Sequence, residues 1–310
     1  PAATRPRRAQ RDRTSRRGLR STTRPRPSPR RRGRWPRPAV TAPRTLAVVS
    51  AKGGTGTTVL VANAAICLAQ RGKQVLVLDG SFGLGNVHML TGQTPKFDLR
   101  CVLAGEKRLR DTLLVGPQGI RIIPGAQGVA ELADLDEKDR EELLHQLREV
   151  GAGYDFVLID AGSGIGATTL SLVLAAHEAI VVTRPEPTAL ASAYALIKIV
   201  VQREPAFPFH LLINMVRDAR QAEQVFGSLQ QILVRYLGYQ PGDAGFVVMD
   251  KHVGRSVIQQ VPFVLGAPRS EATQCLRSLT EKLAPREKGL DIGSQGAPSR
   301  WSQIFSWRPR

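Results

Sequence analysis

Cysteine is scarce in this chain: Cys67, Cys101 and Cys275 are the three in 310 residues. They are odd in number, far apart and set in apolar helical patterns. That excludes a disulfide framework and a cysteine-ligated metal site, and points to buried free thiols in a reducing compartment. No apolar run reaches the roughly 18 residues of a membrane-spanning helix, and no signal-peptide core is visible, so the body is expected in the cytoplasm. The histidines (His88, His145, His177, His210 and His252) show no ligand spacing. No Ser/His/Asp or Cys/His constellation stands out, and there is no internal repeat. Lysine is missing from residues 1–44, although they hold 16 Arg and a single acid, Asp12. They carry +15 of the formal +18, which leaves +3 for the other 266 residues. The folded part is close to neutral, so the whole-chain pI makes no case for nucleic acid as a partner.

What is present is an unbroken alternation of apolar strands and helices. Residues 1–44 are Arg/Pro/Ser/Thr-rich and cannot bury enough surface to fold; they read as a disordered tail or as upstream sequence wrongly included in the gene, with a basic arm for nucleic acid or anionic lipid as the alternative. From there the pattern gives strands at 45–50, 74–79, 120–123, 154–160, 179–183, 209–214 and 245–249. Helices are expected at 59–70, 132–150, 168–176, 188–201, 219–237, 253–260 and 270–283, with short helical pieces between 97 and 123. This predicts one α/β domain over 45–284, with a mostly parallel sheet and helices on both faces. A Gly/Pro/Ser-rich linker follows at 285–298. Residues 299–310 place Trp301, Ile304 and Phe305 at helical spacing, with Trp307 and flanking arginines nearby. That is the composition of an amphipathic segment for a membrane surface.

The chemistry lies in the loops. Between the first strand and helix stands Val48-Val49-Ser50-Ala51-Lys52-Gly53-Gly54-Thr55-Gly56-Thr57-Thr58. A phosphate-binding loop reads G-x-x-x-x-G-K-[ST]; here Ala51 holds the first glycine position and Thr57 the lysine position. The backbone N–H groups around Gly53, Gly54, Thr55, Gly56 and Thr57 can still wrap phosphate oxygens at the helix N-terminus. Thr58 is placed to bind Mg2+ through its hydroxyl. Asp79 and Asp160 each end a buried strand, the position from which a carboxylate holds Mg2+ or its waters. Asn214 also ends a strand, where its amide either reads a base edge or caps a turn.

With these residues in order, the chain resembles the MinD/ParA group of P-loop ATPases. Lys52-Gly53-Gly54-x-Gly56-x-Thr58 is similar to their deviant Walker A motif. Asp79-Gly80-Ser81-Phe82-Gly83-Leu84-Gly85-Asn86-Val87 is similar to their switch I. Ile122-Ile123-Pro124-Gly125 and Pro185-Glu186-Pro187-Thr188-Ala189 resemble most the flagellar number regulators of the group (FlhG, FleN, YlxH). The resemblance covers 45–283. It implies a P-loop fold, ATP/ADP and Mg2+ as cofactors, and a homodimer closed around two nucleotides. Lys52 would reach across to the partner's phosphates, with Lys52 and Asp79 in catalysis. It also implies an FlhF-type GTPase and flagellar switch-ring proteins as partners, with the 299–310 segment docking on the inner face of the cytoplasmic membrane. Three positions depart from the pattern: Thr57 for the loop lysine, Ser81 for the second switch I Asp, and Ser192 for an Asp before Ala193-Tyr194-Ala195-Leu196. These departures imply weak or lost hydrolysis. Two readings follow: a slow ATP-controlled switch, and a pseudo-ATPase scaffold. A MinD-like pilus-assembly role is a further alternative.

Overall fold

The computed structural model describes residues 42–81, 86–126 and 136–284. The chain alternates β1 (Arg44–Ser50), α1 (Thr57–Gln70), β2 (Val75–Asp79), α2 (Val87–Leu90), α3 (Leu99–Leu103), β3 (Leu114–Val115) and β4 (Arg121–Ile123). It continues through α4 (Glu137–Gly151), β5 (Phe156–Ser163), α5 (Ala167–Ala175), β6 (Glu178–Thr183), α6 (Pro187–Val201), β7 (Phe209–Val216) and α7 (Ala219–Leu237). The described residues end in β8 (Gly242–Val248), α8 (Lys251–Gln259), α9 (Phe263–Gly266) and α10 (Glu271–Leu283).

The eight strands among the described residues form one sheet in the order β3-β4-β2-β5-β1-β6-β7-β8. Only the β3–β4 pairing is antiparallel. The strands are continuous apolar runs because both faces are covered. On one face Leu46, Val48, Val75 and Val77 pack with Ile66 of α1, Phe263 of α9 and Leu276 of α10. The alternate residues Ala47, Val49, Leu76 and Leu78 pack on the other face with Leu143 of α4, Leu170 of α5, Leu196 of α6 and Leu229 of α7. β1 sits mid-sheet between β5 and β6. The chain works outward to β3 at one edge, returns through β4 to β5, then builds out to β8 on the other. The strand order reverses at β1, and open α/β sheets bind ligands outside the carboxyl ends of the strands at such a point.

Several boundaries differ from the sequence pattern. α4 starts at Glu137, because the Asp136 side chain accepts from the Asp139 N–H at 2.8 Å and caps the helix there. β8 reaches back to Gly242, where a neighbouring strand extends the pairing from His210. Short α2, α9 and two-residue β3 carry too few residues to show a period; tertiary partners make them. The expected 132–135 start of α4, residues 82–85 of the switch I-like stretch, the 1–41 arm and the segment from 285 onward, including Trp301, Ile304, Phe305 and Trp307, lie outside the described residues. Among the described residues no helix is long and apolar enough to cross a membrane. All three cysteines are free; Cys67 is buried, whereas Cys101 and Cys275 are only half-buried.

Candidate nucleotide-binding site

The glycine-rich loop leaves β1 and enters α1, as its sequence requires. Gly54 and Gly56 take left-handed conformations, at φ 78° and 86°, which side chains rarely adopt. A Cβ on Gly56 would also sit 2.7 Å from Asn214 Nδ2. Asn214 closes the loop from β7: Nδ2 donates to the Thr55 carbonyl at 2.7 Å, and Oδ1 accepts from the Met215 N–H at 2.9 Å. The amide assigned from sequence to a base edge or a turn is thus engaged with the loop and its own strand end. Thr57, at the lysine position, is buried and shares a 3.1 Å hydrogen bond with the Thr55 hydroxyl.

Facing the loop are the two carboxylates. Asp79 ends β2 and is the register partner of Asp160, which lies inside β5 and not at its end, because that strand runs on to Ser163; both carboxyl groups are fully buried. Asp79 Oδ2 accepts from the Val87 N–H at 2.9 Å and Oδ1 from the Ser81 N–H at 3.3 Å. Burial, then the charge of Asp160, nevertheless pushes Asp79 up to about 7. Asp160 is also raised, by burial, against hydroxyl contacts from Thr58 and Ser81. Its Oδ1 accepts from the Gly162 N–H at 3.1 Å, and its buried Oδ2 has no hydrogen-bond partner. Two buried carboxyl groups are held side by side, an arrangement that favours a shared proton or a bound cation between them.

Lys52 does not point into open solvent. Its Nζ donates to Glu186 Oε2 and to Thr188 Oγ1, both at 2.9 Å, at the start of α6 of the same chain. The other oxygen of Glu186 pairs with Arg184 Nη2 at 2.6 Å. Ser192, one turn on, donates its hydroxyl to the Thr188 carbonyl at 2.8 Å. The loops enclose a cavity of about 610 Å3, which runs from Gly53–Thr58 past Ser81 and Gly162 to Met89, Val257 and Gln260. The structure therefore brings Lys52, the loop, Asp79, Asp160 and Asn214 to one edge of the sheet. Sequence reading passed over Arg184, Glu186, Val257 of α8 and Gln260 just after it. The one signal for Glu186 was its place in the Pro185–Ala189 segment; α8 reaches the site only through the fold.

A mostly parallel sheet whose reversal point carries a glycine-rich strand–helix loop, opposite two buried carboxyl groups on neighbouring strands, defines a P-loop nucleotide-binding domain. A family model described as an AAA domain matches residues 43–206. The antiactivator FleN of Pseudomonas aeruginosa is 34% identical over 238 residues, which cover 77% of this chain and 85% of FleN. The flagellum site-determining protein YlxH of Helicobacter pylori is 29% identical, over 60% of this chain and 63% of YlxH. The septum site-determining protein MinD of Pyrococcus horikoshii, complexed with Mg-ADP, has the same fold: TM-score 0.67, 24% identity, 78% of this chain and 96% of MinD. The chain belongs to the MinD/ParA family of P-loop ATPases.

Proposed function

We propose that this protein is a MinD-like switch that binds Mg2+ with ATP or ADP, turns ATP over weakly or not at all, and regulates flagellar number or placement. The observation that carries the nucleotide part is the unpartnered Asp160 Oδ2, buried beside the Thr58 hydroxyl and Asp79 below the glycine cradle. These oxygens fit a hard divalent cation. Thr58, Asp79 and Asp160 would hold Mg2+, and the metal would offset phosphate charge. Gly53 to Thr57 would supply N–H donors to the phosphates, and Asn214 would keep the loop in shape. The flagellar part draws on the similarity to FleN and YlxH. It brings a homodimer, an FlhF-type GTPase, flagellar switch-ring proteins and peripheral membrane association through 299–310 as expected interactions. Exposed apolar Met89 and Val257 line the cavity and suit a self-association face.

The low-turnover part follows from chemistry. A neutral Thr57 gives a transferring phosphoryl group no charge where a loop lysine would give one, and such electrostatic help is a large share of catalysis. That same residue favours the second reading, a pseudo-ATPase scaffold. Calorimetric titration of the full chain with Mg·ADP and Mg·ATP, beside phosphate-release assays, separates the two. We expect binding with little phosphate release, and release increased at least tenfold by Thr57→Lys. Family-like turnover without that substitution would sink the weak-hydrolysis reading, and no binding at millimolar Mg·nucleotide would sink the switch.

A further inference from the structure

The lysine position of the loop is neutral, yet a cation lies against the loop from another strand. Arg184, immediately after β6, donates Nη1 to the Gly54 carbonyl at 3.3 Å and pairs Nη2 with Glu186. Its Nε is buried and has no hydrogen-bond partner, so the guanidinium has donor capacity that its present neighbours leave unused. Glu186 also holds Lys52. One carboxylate thus occupies two cations beside Gly53 and Gly54, both of which line the cavity. The Thr57 hydroxyl is meanwhile spent on Thr55.

A guanidinium matches phosphate oxygens with a planar fork of N–H donors, and its charge persists at any physiological pH. A polyphosphate in the cradle would compete with Glu186 for it. We propose that Arg184 is a phosphate-binding residue that replaces the absent loop lysine, exchanging Glu186 for the β- or γ-phosphate of a nucleoside polyphosphate. This rests on the nucleotide reading above.

The test is a double-mutant cycle on the full chain, read as calorimetric affinity for Mg·ADP and Mg·ATP. One charge-assisted hydrogen bond is worth roughly tenfold or more in affinity. Arg184→Ala is therefore expected to weaken binding at least tenfold and to lower its salt dependence. In the Thr57→Lys background the same change is expected to cost less than about threefold, because the lysine supplies the charge locally. Thermal unfolding without nucleotide covers a structural role: if Arg184 only braces Gly54, Arg184→Ala lowers the melting temperature and Thr57→Lys does not restore affinity. That result overturns the proposal, as does equal loss in both backgrounds or no loss in either. Absence of binding by the unaltered chain would instead remove the nucleotide reading and this inference with it.

Discussion

Asp160 has one oxygen satisfied by Gly162 N–H and one with no partner, 0% exposed, next to a second buried acid. An unpaired buried charge is kept at a cost in stability. Asp160→Asn should remove that cost without breaking a contact: the amide oxygen can keep the Gly162 bond, and the NH2 can donate toward Asp79. We expect the variant, without nucleotide, to be more stable by about 1–2 kcal/mol in denaturant titration. It should also lose the stabilisation that Mg·nucleotide gives the parent. A drop in stability would mean that the pair is not electrostatically strained. At this scale the sequence was half legible. Asp79, Thr58 and the glycines could be proposed from sequence because each ends a strand or opens a helix, where local pattern marks the place; Asp160 was expected at a strand end, whereas β5 continues to Ser163. Arg184 and Glu186 could not be read as loop partners, because their contacts with Gly54 and Lys52 span 130 and 134 residues of chain.

Helix α1 begins and ends on left-handed glycines, Gly56 at φ 86° and Gly72 at φ 82°. They differ in surroundings. A Cβ on Gly56 meets Asn214, whereas one on Gly72 meets nothing within 4 Å. Gly72→Ala should therefore cost about 1 kcal/mol, the conformational penalty alone. Gly56→Ala should cost more and should displace the loop enough to weaken nucleotide binding. Equal unfolding free energies for the two variants would show that the Asn214 contact gives way freely. The elements themselves were largely readable. Strands buried on both faces leave unbroken apolar runs, such as Val75–Asp79, and α7 shows a clear polar and apolar face. α9 was not readable, because it depends on Asn63 Oδ1 accepting the Val264 N–H from 201 residues away. β3 exists through its register with β4, Leu114 against Ile122.

Across the whole molecule, the sheet edge opposite the site has its own charge cluster. Glu178 at the start of β6 takes Arg44 Nε at 2.5 Å and His210 Nε2 at 3.0 Å. Burial works against the charge of Glu178, but the bonds from His210 and Arg44 outweigh it and bring the acid down to about 2. A depressed folded pKa gives stability that is whole above the ordinary 4.5 and fades as pH falls toward 2. Glu178→Gln should lose about 2 kcal/mol at pH 7 and unfold with a shallower acid dependence below pH 4.5. Parallel acid limbs for both proteins would exclude Glu178 as the source. The α/β alternation with a mostly parallel sheet was legible in the sequence at this scale; the convergence of distant charges on this edge was not, since it needs the strand order. Arg44 also donates Nη1 to the Leu283 carbonyl at 2.6 Å, and Arg71 reaches the Ala284 carbonyl at 2.9 Å. The first strand and the last helix of the fold therefore meet, far from the phosphate loop. A short peptide joining 284 to 44 would close the backbone into a ring, and new ends could be cut in an exposed surface turn. Circular permutants of this kind, or insertion of the whole domain into a host protein as a nucleotide-responsive module, are open to it because its own ends are already neighbours.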